Sequence, residues 1–387
     1  MEIQLKPIRI LHIMSGFGGG ISTFIRNQAE ALTDTSIIFD VATYDDCPEE
    51  FKQAIEKTGG RIYSLQNPKT KGWKEFKKSL QQPLKEHHYD VVHCHVAGYR
   101  AIAYYLVVRK YKVGKFIIHA HSTVDLSRLS KKKQYEAKIN QPINRYLSHE
   151  PVGCGALAIQ SIYGKVPKEQ WMIIPNSVEP ANFIHSDKEA TKIREQVRTR
   201  WQVPEDHYLI GHIGRLEEVK NHQLTLELAQ WIKNQQLPMT IVIIGTGKLK
   251  EALKEQVKEK GLESVVLFTG RLHPIANYLP ALDGVILPSF VEGLPTTMIE
   301  TQLVGLPAVL SDTITKEVDL ELGLLTYLPL DSPISKWYDE LITLIEMSKP
   351  STRSRIEQAS LKGFTNEAAS SIYTQYLSGF INSYHID

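Results

Sequence analysis

The sequence predicts an α/β protein made of two doubly wound, Rossmann-like domains with parallel sheets. Apolar runs of strand length alternate with longer segments of helical period along the chain, which is the pattern of βαβ units. One charged stretch, residues 187–200, interrupts the alternation, and a second series of the same kind follows it. With 387 residues, the chain also exceeds the length at which a single core usually suffices.

The composition is that of an ordinary globular protein, with 42% hydrophobic and 23% charged residues. A formal net charge of +2 argues against general nucleic-acid binding. Cys47, Cys94 and Cys154 form no C-x-x-C pair, so we expect neither a disulfide framework nor a zinc site. The N-terminal apolar segment is too short for a signal peptide, and no run of about 18 apolar residues occurs. We therefore expect a cytoplasmic protein.

The first domain is predicted over residues 1–180. It opens with an apolar strand, IRILHIM, which leads into the glycine loop 15–20 and then into a helix. The loop is not a dinucleotide fingerprint, because the third glycine of G-x-G-x-x-G would fall on Ile21. Gly19 and Gly20 let the backbone approach a ligand closely, although a flexible turn fits the same residues. Further strands are predicted at 37–42, 90–95 and 115–119, and helices at 48–58 and 73–86.

Several histidines lie near the ends of these predicted strands. Ligands of parallel sheets gather at the carboxyl ends of the strands, so these positions are candidates for function. The histidines are His93, His95, His119 and His121. Alternate residues of a strand share a face, but no third ligand accompanies His93 and His95, so no metal site is expected. His121, in the segment HAHST, is the strongest candidate.

The second domain is predicted over residues 205–365. Before it, residues 153–160 (GCGALAIQ) read as a strand, and 187–200 as a charged helix between the domains. Within the second domain, helices are predicted at 222–234 and 249–260, and strands at 239–245, 265–270 and 284–289. Residues 351–363 and 366–384 read as closing helices.

The segment 285–307 is the most informative part of the second domain. It reads as a buried strand, a loop containing Glu292 and Gly293, and a helix that starts near Thr296. Free N–H groups and the dipole at a helix start form an anion cradle. Glu292 and Glu300 add carboxylates, which accept hydrogen bonds from vicinal hydroxyls but repel phosphate alone. The expected ligand therefore carries hydroxyls as well as phosphate.

Two cations could complete this site. Arg215 follows the first strand of the second domain, and Lys220 comes five residues later, near the start of the next helix. Two cations at one pocket would bind a diphosphate leaving group and stabilise its growing charge, although two unrelated surface cations also fit these residues. Since no D-x-D segment occurs, a metal-dependent mechanism of that kind is unsupported.

Together, GRLEEVKN (214–221) and EGLPTTMIE (292–300) resemble the arginine/lysine pair and the E-x7-E element of the retaining GT-B glycosyltransferases of family 4. The bacterial members that build exopolysaccharide or capsule are the most similar. GGGIST, HAHS and IPNSV also resemble that family's pattern, and the likeness extends from about residue 8 to residue 330. The resemblance implies the GT-B fold, with a cleft between the two domains, and a final helix, about 366–387, that packs back on the first domain.

On the donor side, the resemblance assigns the diphosphate to Arg215 and Lys220. It assigns the nucleotide ribose to Glu300 and the base to Arg271. Glu218 departs from the simple cation pair, because it adds a carboxylate beside it.

The resemblance assigns the donor sugar to Glu292 and to the amides of Gly293 and Leu294. His121 would lie near the reacting sugar carbon. Gly19 and Gly20 would lie near the phosphates and the acceptor.

The expected activity is therefore transfer of a sugar from a nucleotide-diphosphate sugar, expected to be UDP-linked, without a metal cofactor. The acceptor would be lipid-linked or a growing polysaccharide, at the inner face of the membrane. A sugar-nucleotide epimerase on the same scaffold and a non-catalytic nucleotide-sugar binding protein remain as alternatives.

Six lysines between residues 69 and 85 surround Trp73, Phe76 and Leu80. This pattern fits a solvated helix face, and it also fits a surface that meets anionic lipid.

Overall fold

From a computed structural model of the protein, we describe residues 7–17, 19–33, 35–123 and 130–384, with side chains to residue 379. The chain forms two compact units. Unit 1 comprises Met1–Ser177 and Gly363–Asp387, and unit 2 comprises Val178–Lys362. The last segment of the chain therefore belongs with the first unit.

Unit 1 contains a seven-stranded sheet in the order β3-β2-β1-β4-β5-β6-β7, with every described pairing parallel. The strands are β1 Ile8–Ile13, β2 Ile37–Thr43, β3 Ile62–Ser64, β4 Val91–Cys94, β5 Lys115–Ala120, β6 Pro151–Gly153 and β7 Met172–Ile173. The helices are α1 Gly20–Ala31, α2 Glu49–Lys57, α3 Pro68–Glu86, α4 Tyr99–Val108, α5 Lys131–Leu147, α6 Ala156–Tyr163 and α13 Asn366–Tyr384.

Alternate residues of the unit 1 strands supply two separate cores. Leu11 and Val92 pack in a cluster with residues of α3, α4 and α6, whereas Ile10 and Val91 pack in a cluster with residues of α1, α2 and α13. A parallel sheet covered on both faces needs apolar residues at nearly every position. This need explains why the strands were visible as continuous apolar runs.

One prediction for unit 1 is wrong, and one of two alternatives loses two of its residues. Residues 153–160 do not form one strand, because β6 ends at Gly153 and α6 begins at Ala156. A short apolar run cannot be told from a buried helix by its period alone. Phe76 and Leu80 are not part of a lipid-facing surface, because both are buried in the core, whereas Trp73 is half exposed.

Unit 2 contains a six-stranded parallel sheet in the order β10-β9-β8-β11-β12-β13. The strands are β8 Tyr208–Ile213, β9 Met239–Ile244, β10 Val266–Gly270, β11 Gly284–Leu287, β12 Ala308–Ser311 and β13 Leu325–Leu328. The helices are α7 Asp187–Arg200, α8 His222–Gln235, α9 Lys250–Glu259, α10 Thr296–Val304, α11 Ile334–Glu346 and α12 Thr352–Leu361. The two parallel sheets confirm the predicted doubly wound α/β class.

The charged helix α7 is part of unit 2 rather than a free linker. Arg194 and Arg198 both bind the Asp283 carboxylate, at 2.7 and 3.0 Å. Asp283 in turn accepts a hydrogen bond from the backbone N–H of Leu209 at 2.7 Å, at the start of the sheet. Two arginines that look like surface charge in the sequence thus anchor this helix at the start of the central strands β8 and β11.

Candidate active site

The two segments singled out in unit 2 meet through one ion pair. Lys220 Nζ lies 2.7 Å from Glu292 Oε1, and the two side chains are only 14% and 13% exposed. The backbone N–H of Phe290 also donates to the carbonyl of Val219 at 2.8 Å, so the two loops are joined beside the pair. Residues 72 positions apart in the chain therefore form one site at the carboxyl ends of β8 and β11.

Glycines make this arrangement possible. A Cβ atom on Gly214 would lie 3.0 Å from Cε of Lys220, so the lysine side chain passes directly over the glycine. Gly245, at φ 153°, presses against the same segment, and a Cβ there would lie 1.8 Å from the carbonyl oxygen of Gly214. Any larger residue at 245 would displace the loop that carries Arg215.

Arg215 does not share a carboxylate with Lys220. Its guanidinium lies 3.1 Å from Glu217 Oε1, and its side chain is 76% exposed. Glu218, which complicated the charge balance in the sequence, lies 3.5 Å from Lys248 instead. Because exposed pairs of this kind are weak, Arg215 is free to turn toward an anionic ligand.

The helix α10 starts without a side-chain cap after Pro295 and ends at Gly305, whose φ of 79° is left-handed. Its first turn carries no acidic residue, so the N–H groups and the dipole are available to an anion. Gly293 is half-buried and Leu294 is buried in the loop before the helix.

Glu300 lies in the second turn of α10 and has no hydrogen-bond or ion-pair partner among the described residues. The side chain is half-buried as a whole, yet desolvation of the carboxyl group raises its pKa to about 7. An unpartnered carboxyl group of this kind can gain hydrogen bonds from a ligand. Arg271, which follows β10, is exposed and has no described partner either.

In unit 1, Gly19 and Gly20 begin α1. The carbonyl oxygen of Gly19 accepts hydrogen bonds from Ser22 Oγ and from the backbone N–H of Thr23, and no atom lies within 4 Å of a Cβ built on Gly19. The helix has no side-chain cap and no acidic residue in its first turn. Gly18 lies outside the described residues.

Five histidines of unit 1 form two hydrogen-bonded chains of rings. In the first, His12 Nδ1 lies 3.0 Å from His95 Nε2, and His95 Nδ1 lies 2.7 Å from His121 Nε2. In the second, the Tyr373 hydroxyl lies 2.7 Å from His93 Nδ1, and His93 Nε2 lies 3.0 Å from His119 Nδ1.

The two chains stack on each other. The ring centroids of His93 and His95 are 4.6 Å apart with planes at 18°, and those of His119 and His121 are 4.0 Å apart with planes at 17°. We call these five histidines and Tyr373 the histidine array. Its outer end, at His119 and His121, lines a cavity of about 350 Å³ together with Ser15 and Arg100.

The expectation that His93 and His95 lack a third neighbour is wrong. His12, His93 and His95 form one close group of ring nitrogens, and His95, His119 and His121 form another. The geometry nevertheless favours hydrogen bonding over metal binding. A metal must lie near the plane of each ligating ring, whereas stacked rings such as His119 and His121 direct their nitrogen lone pairs along nearly parallel planes.

Burial makes the histidine array electrically neutral. Desolvation lowers the pKa of His12 and of His121 to about 3. It lowers the pKa of His93, His95 and His119 well below the usual value as well. The array therefore offers hydrogen-bond donors and acceptors without charge.

The sequence indicated His93, His95, His119 and His121, but not His12 and Tyr373, which complete the array. His12 and Tyr373 come from segments that contain no other candidate, and Tyr373 lies 280 residues from its partner His93. One signal was present, because His12 and His93 are polar residues inside otherwise apolar strands. Buried polar groups in such strands need partners.

Two family models match most of the chain. Residues 18–182 match the model described as Glycosyltransferase Family 4, and residues 193–319 match the one described as Glycosyl transferases group 1. EpsF of Bacillus subtilis, which carries the name of a glycosyltransferase, is 28% identical over 349 residues, covering 88% of this chain and 89% of that protein.

A second relative, from Escherichia coli, is named UDP-Gal:alpha-D-GlcNAc-diphosphoundecaprenol alpha-1,3-galactosyltransferase. It is 27% identical over 245 residues, covering 60% of each chain. Among solved structures, HepE of Anabaena in complex with UDP and glucose is similar with a TM-score of 0.73 and 18% identity, covering 96% of this chain and 99% of that one. This likeness agrees with the fold described above.

Proposed function

The chain belongs to the family 4 glycosyltransferases, and we propose that it transfers a sugar, with retention, from a nucleotide-diphosphate sugar. The proposed acceptor is lipid-linked or a growing polysaccharide, in exopolysaccharide or capsule synthesis. UDP is the proposed nucleotide, since HepE was solved with UDP and the Escherichia coli relative is named for UDP-galactose.

The Lys220–Glu292 ion pair is the observation that carries this proposal. It brings a cation for the diphosphate and a carboxylate for sugar hydroxyls within 2.7 Å, next to the uncapped start of α10. In the free protein, each group satisfies the charge of the other. A donor that carries both phosphates and hydroxyls would replace each partner with one of its own groups.

Retention needs no strong base from the protein. The bond between the anomeric carbon and the diphosphate oxygen breaks, and the diphosphate leaves with the electron pair. The acceptor hydroxyl then attacks the same face of the sugar, and its proton passes to a diphosphate oxygen. Lys220 and Arg215 stabilise the charge on the leaving group, while Glu292 orients the sugar.

Alanine substitution of the cations tests this assignment. We expect Lys220→Ala to lower kcat/KM by about 100-fold and Arg215→Ala by about 10-fold or more, because each removes stabilisation of developing charge. Lys248→Ala, which removes an exposed lysine from the same unit, is the matched control and should stay within about twofold. Transfer by Lys220→Ala or Arg215→Ala within about threefold of wild type would refute the roles given to these cations.

The nature of the product separates the alternatives. Incubation with donor alone would release a free epimer if the chain were an epimerase, and would leave the donor intact if it only bound nucleotide sugars. NMR of the transfer product reports the configuration at the anomeric carbon. An inverted product would exclude the retaining mechanism.

An anionic membrane surface is the proposed location of the acceptor. The outer face of α5 carries the exposed side chains of Tyr135, Ile139 and Tyr146, two of them 69% and 80% exposed. Positions 135, 139 and 146 repeat at helical spacing and lie on one stripe. Exposed basic residues accompany the stripe, namely Lys131, Lys132, Lys133, Lys138 and Arg145. An apolar stripe with basic flanks is typical of helices that lie in a membrane interface.

Vesicle binding tests this surface. The chain should sediment with vesicles that contain anionic lipid, and much less with purely zwitterionic vesicles. Tyr135→Ser combined with Tyr146→Ser should weaken binding by about 10-fold or more, since two aromatic anchors are lost. Leu361→Ser, which removes a 79% exposed apolar side chain of unit 2, is the matched control for loss of exposed apolar area. Equal binding of the double variant would remove α5 from the proposal.

Among the described residues, no helix is both long and apolar enough to cross a bilayer.

A further inference from the structure

The second chain of the histidine array starts at a hydroxyl group with one partner. Among the described residues, the Tyr373 hydroxyl has His93 Nδ1 as its one hydrogen-bond partner, and the tyrosine is fully buried. Burial also raises the pKa of Tyr373 well above its usual value, so the phenol keeps its proton. A buried hydroxyl that fails to donate loses its solvation without compensation. Tyr373 is therefore the donor and His93 Nδ1 the acceptor.

This direction determines the position of every proton in the chain. A neutral imidazole carries one N–H and one bare nitrogen. His93 accepts at Nδ1, so its proton is on Nε2 and is donated to His119 Nδ1 at 3.0 Å. His119 accepts at Nδ1 in turn, so its own proton is on Nε2. The first chain ends at His12 without a hydroxyl group, and its proton order is not determined in this way.

The last donor of the Tyr373–His93–His119 series, His119 Nε2, has no acceptor among the described residues. His119 Nε2 is buried and unpartnered among the described residues, and His119 lines the cavity beside His121. The Nε2 atom itself has almost no accessible surface, so an oxygen that accepts its hydrogen bond has to enter from the adjoining cavity. Because the ring is neutral, it matches an uncharged hydroxyl or ether oxygen better than it matches a phosphate.

We propose that Tyr373 and His93 are positioning residues that hold His119 as a neutral Nε2–H donor, and that His119 binds a saccharide oxygen in this cavity. Only the identity of the ligand rests on the proposed function. The order of protons along the chain does not depend on it.

NMR of the full chain labelled with ¹⁵N at the histidine rings tests the proton order directly. Two-bond proton–nitrogen spectra of the wild type should show His93 and His119 as Nε2–H tautomers, with assignments from His93→Gln and His119→Gln. Tyr373→Phe should produce a mixture of tautomers at both rings. Tyr376→Phe removes a hydroxyl from the same helix and should leave both unchanged. A wild-type His119 that carries its proton on Nδ1 would overturn the proposal, whatever the protein's activity.

Kinetics test the role of the donor. Tyr373→Phe should lower kcat/KM by about fivefold, whereas Tyr376→Phe should stay within about twofold. In a His119→Gln background, Tyr373→Phe should have no further effect. The side-chain amide of glutamine carries N–H groups whether or not Tyr373 donates to His93. Additive losses in the double variant would show that Tyr373 acts by packing alone.

Discussion

Units 1 and 2 both gather polar side chains at the carboxyl ends of a parallel sheet, but these groups are neutral in unit 1 and charged or ionisable in unit 2. The histidine array of unit 1 is a stack of neutral rings, whereas unit 2 holds the Lys220–Glu292 ion pair and the unpartnered carboxyl group of Glu300. Charged groups suit a diphosphate, whose charge grows during the reaction. Neutral donors suit hydroxyls, whose charge hardly changes. Under the proposed function, each unit would bind a different part of the reacting molecules.

Acidification should destabilise unit 1 more than unit 2, and this is the largest difference that we expect between them. The pKa of a histidine in the unfolded chain is near 6.5, and burial lowers that of His12 and His121 to about 3. Below pH 6.5 the unfolded chain therefore binds protons that the folded chain does not, so stability falls as the pH drops from about 6.5 towards 3. At pH 5.5, each of these two histidines costs on the order of 1 kcal/mol of folding free energy.

Hydrogen exchange measures this difference, after correction for the intrinsic dependence of exchange on pH. Between pH 7 and pH 5.5, peptides from β4 and β5 should lose more protection than peptides from β8 and β9. Among the described residues, burial lowers the pKa of five histidines in unit 1 and of two in unit 2. In unit 2 it lowers the pKa of His222 to about 4 and that of His212 well below its usual value. Earlier loss of protection in unit 2 would contradict the comparison.

Glu292→Gln tests the ionic character of unit 2. The substitution leaves Lys220 largely buried without its carboxylate, so unfolding should become easier by roughly 2 kcal/mol. UDP should still bind at least as tightly, because Lys220 is no longer neutralised, while transfer should fall by about 100-fold as the sugar loses its orienting group. Thermal unfolding with and without UDP, together with initial rates, measures these effects. If UDP affinity fell together with transfer, Glu292 would hold the loop in its conformation rather than orient the sugar.

Glu300 should make nucleotide binding depend on pH. Its pKa of about 7 leaves it mostly protonated at pH 6 and mostly ionised at pH 8. If the carboxylate accepts hydrogen bonds from the ribose, UDP affinity should rise about 10-fold over this range, because binding favours the ionised form. Calorimetry in buffers of different ionisation enthalpy should detect proton release on binding. Glu300→Gln should abolish both effects, and a slope that persists in this variant would assign the titration to another group.

Glu217→Gln should have the smallest effect. Its pair with Arg215 is exposed, so thermal stability should change by less than about 0.5 kcal/mol. UDP affinity should rise by about twofold at low salt and remain unchanged at high salt, because screening removes the competing charge. A large loss of affinity would show that Glu217 holds Arg215 in its working position.

The sequence predicted unit 2 better than unit 1, for physical reasons. The strand, loop and helix of 285–307 carry local signals, since Gly305 ends α10 in a left-handed conformation and Pro307 follows it. Lys220 and Glu292 lie in loops that follow two strands of the predicted parallel sheet, and the resemblance to family 4 assigned both loops to one donor site. The sequence therefore placed these residues near each other without a structure, although it did not predict that they would neutralise one another.

The histidine array could not be predicted in the same way. Its members come from three strands and from the last helix, and nothing local to Tyr373 indicates a partner. Helix α5 was also missed, because its lysine run and the internal Pro142 hide the helical period. The lysines of α3 drew attention to Phe76, which is a core residue. Burial depends on neighbouring elements, which a single segment does not reveal.

The contact between Tyr373 and His93 has a consequence for how the chain reaches its final state. Residues 363–387 complete unit 1 only after all of unit 2 has left the ribosome. Until then, the inner face of α1 and the ring of His93 lack the helix that covers them, and the first unit to be synthesised is the last to be finished. We expect a released chain truncated after residue 362 to expose this face to chaperones, while the strands of its unit 2 are protected from proteases.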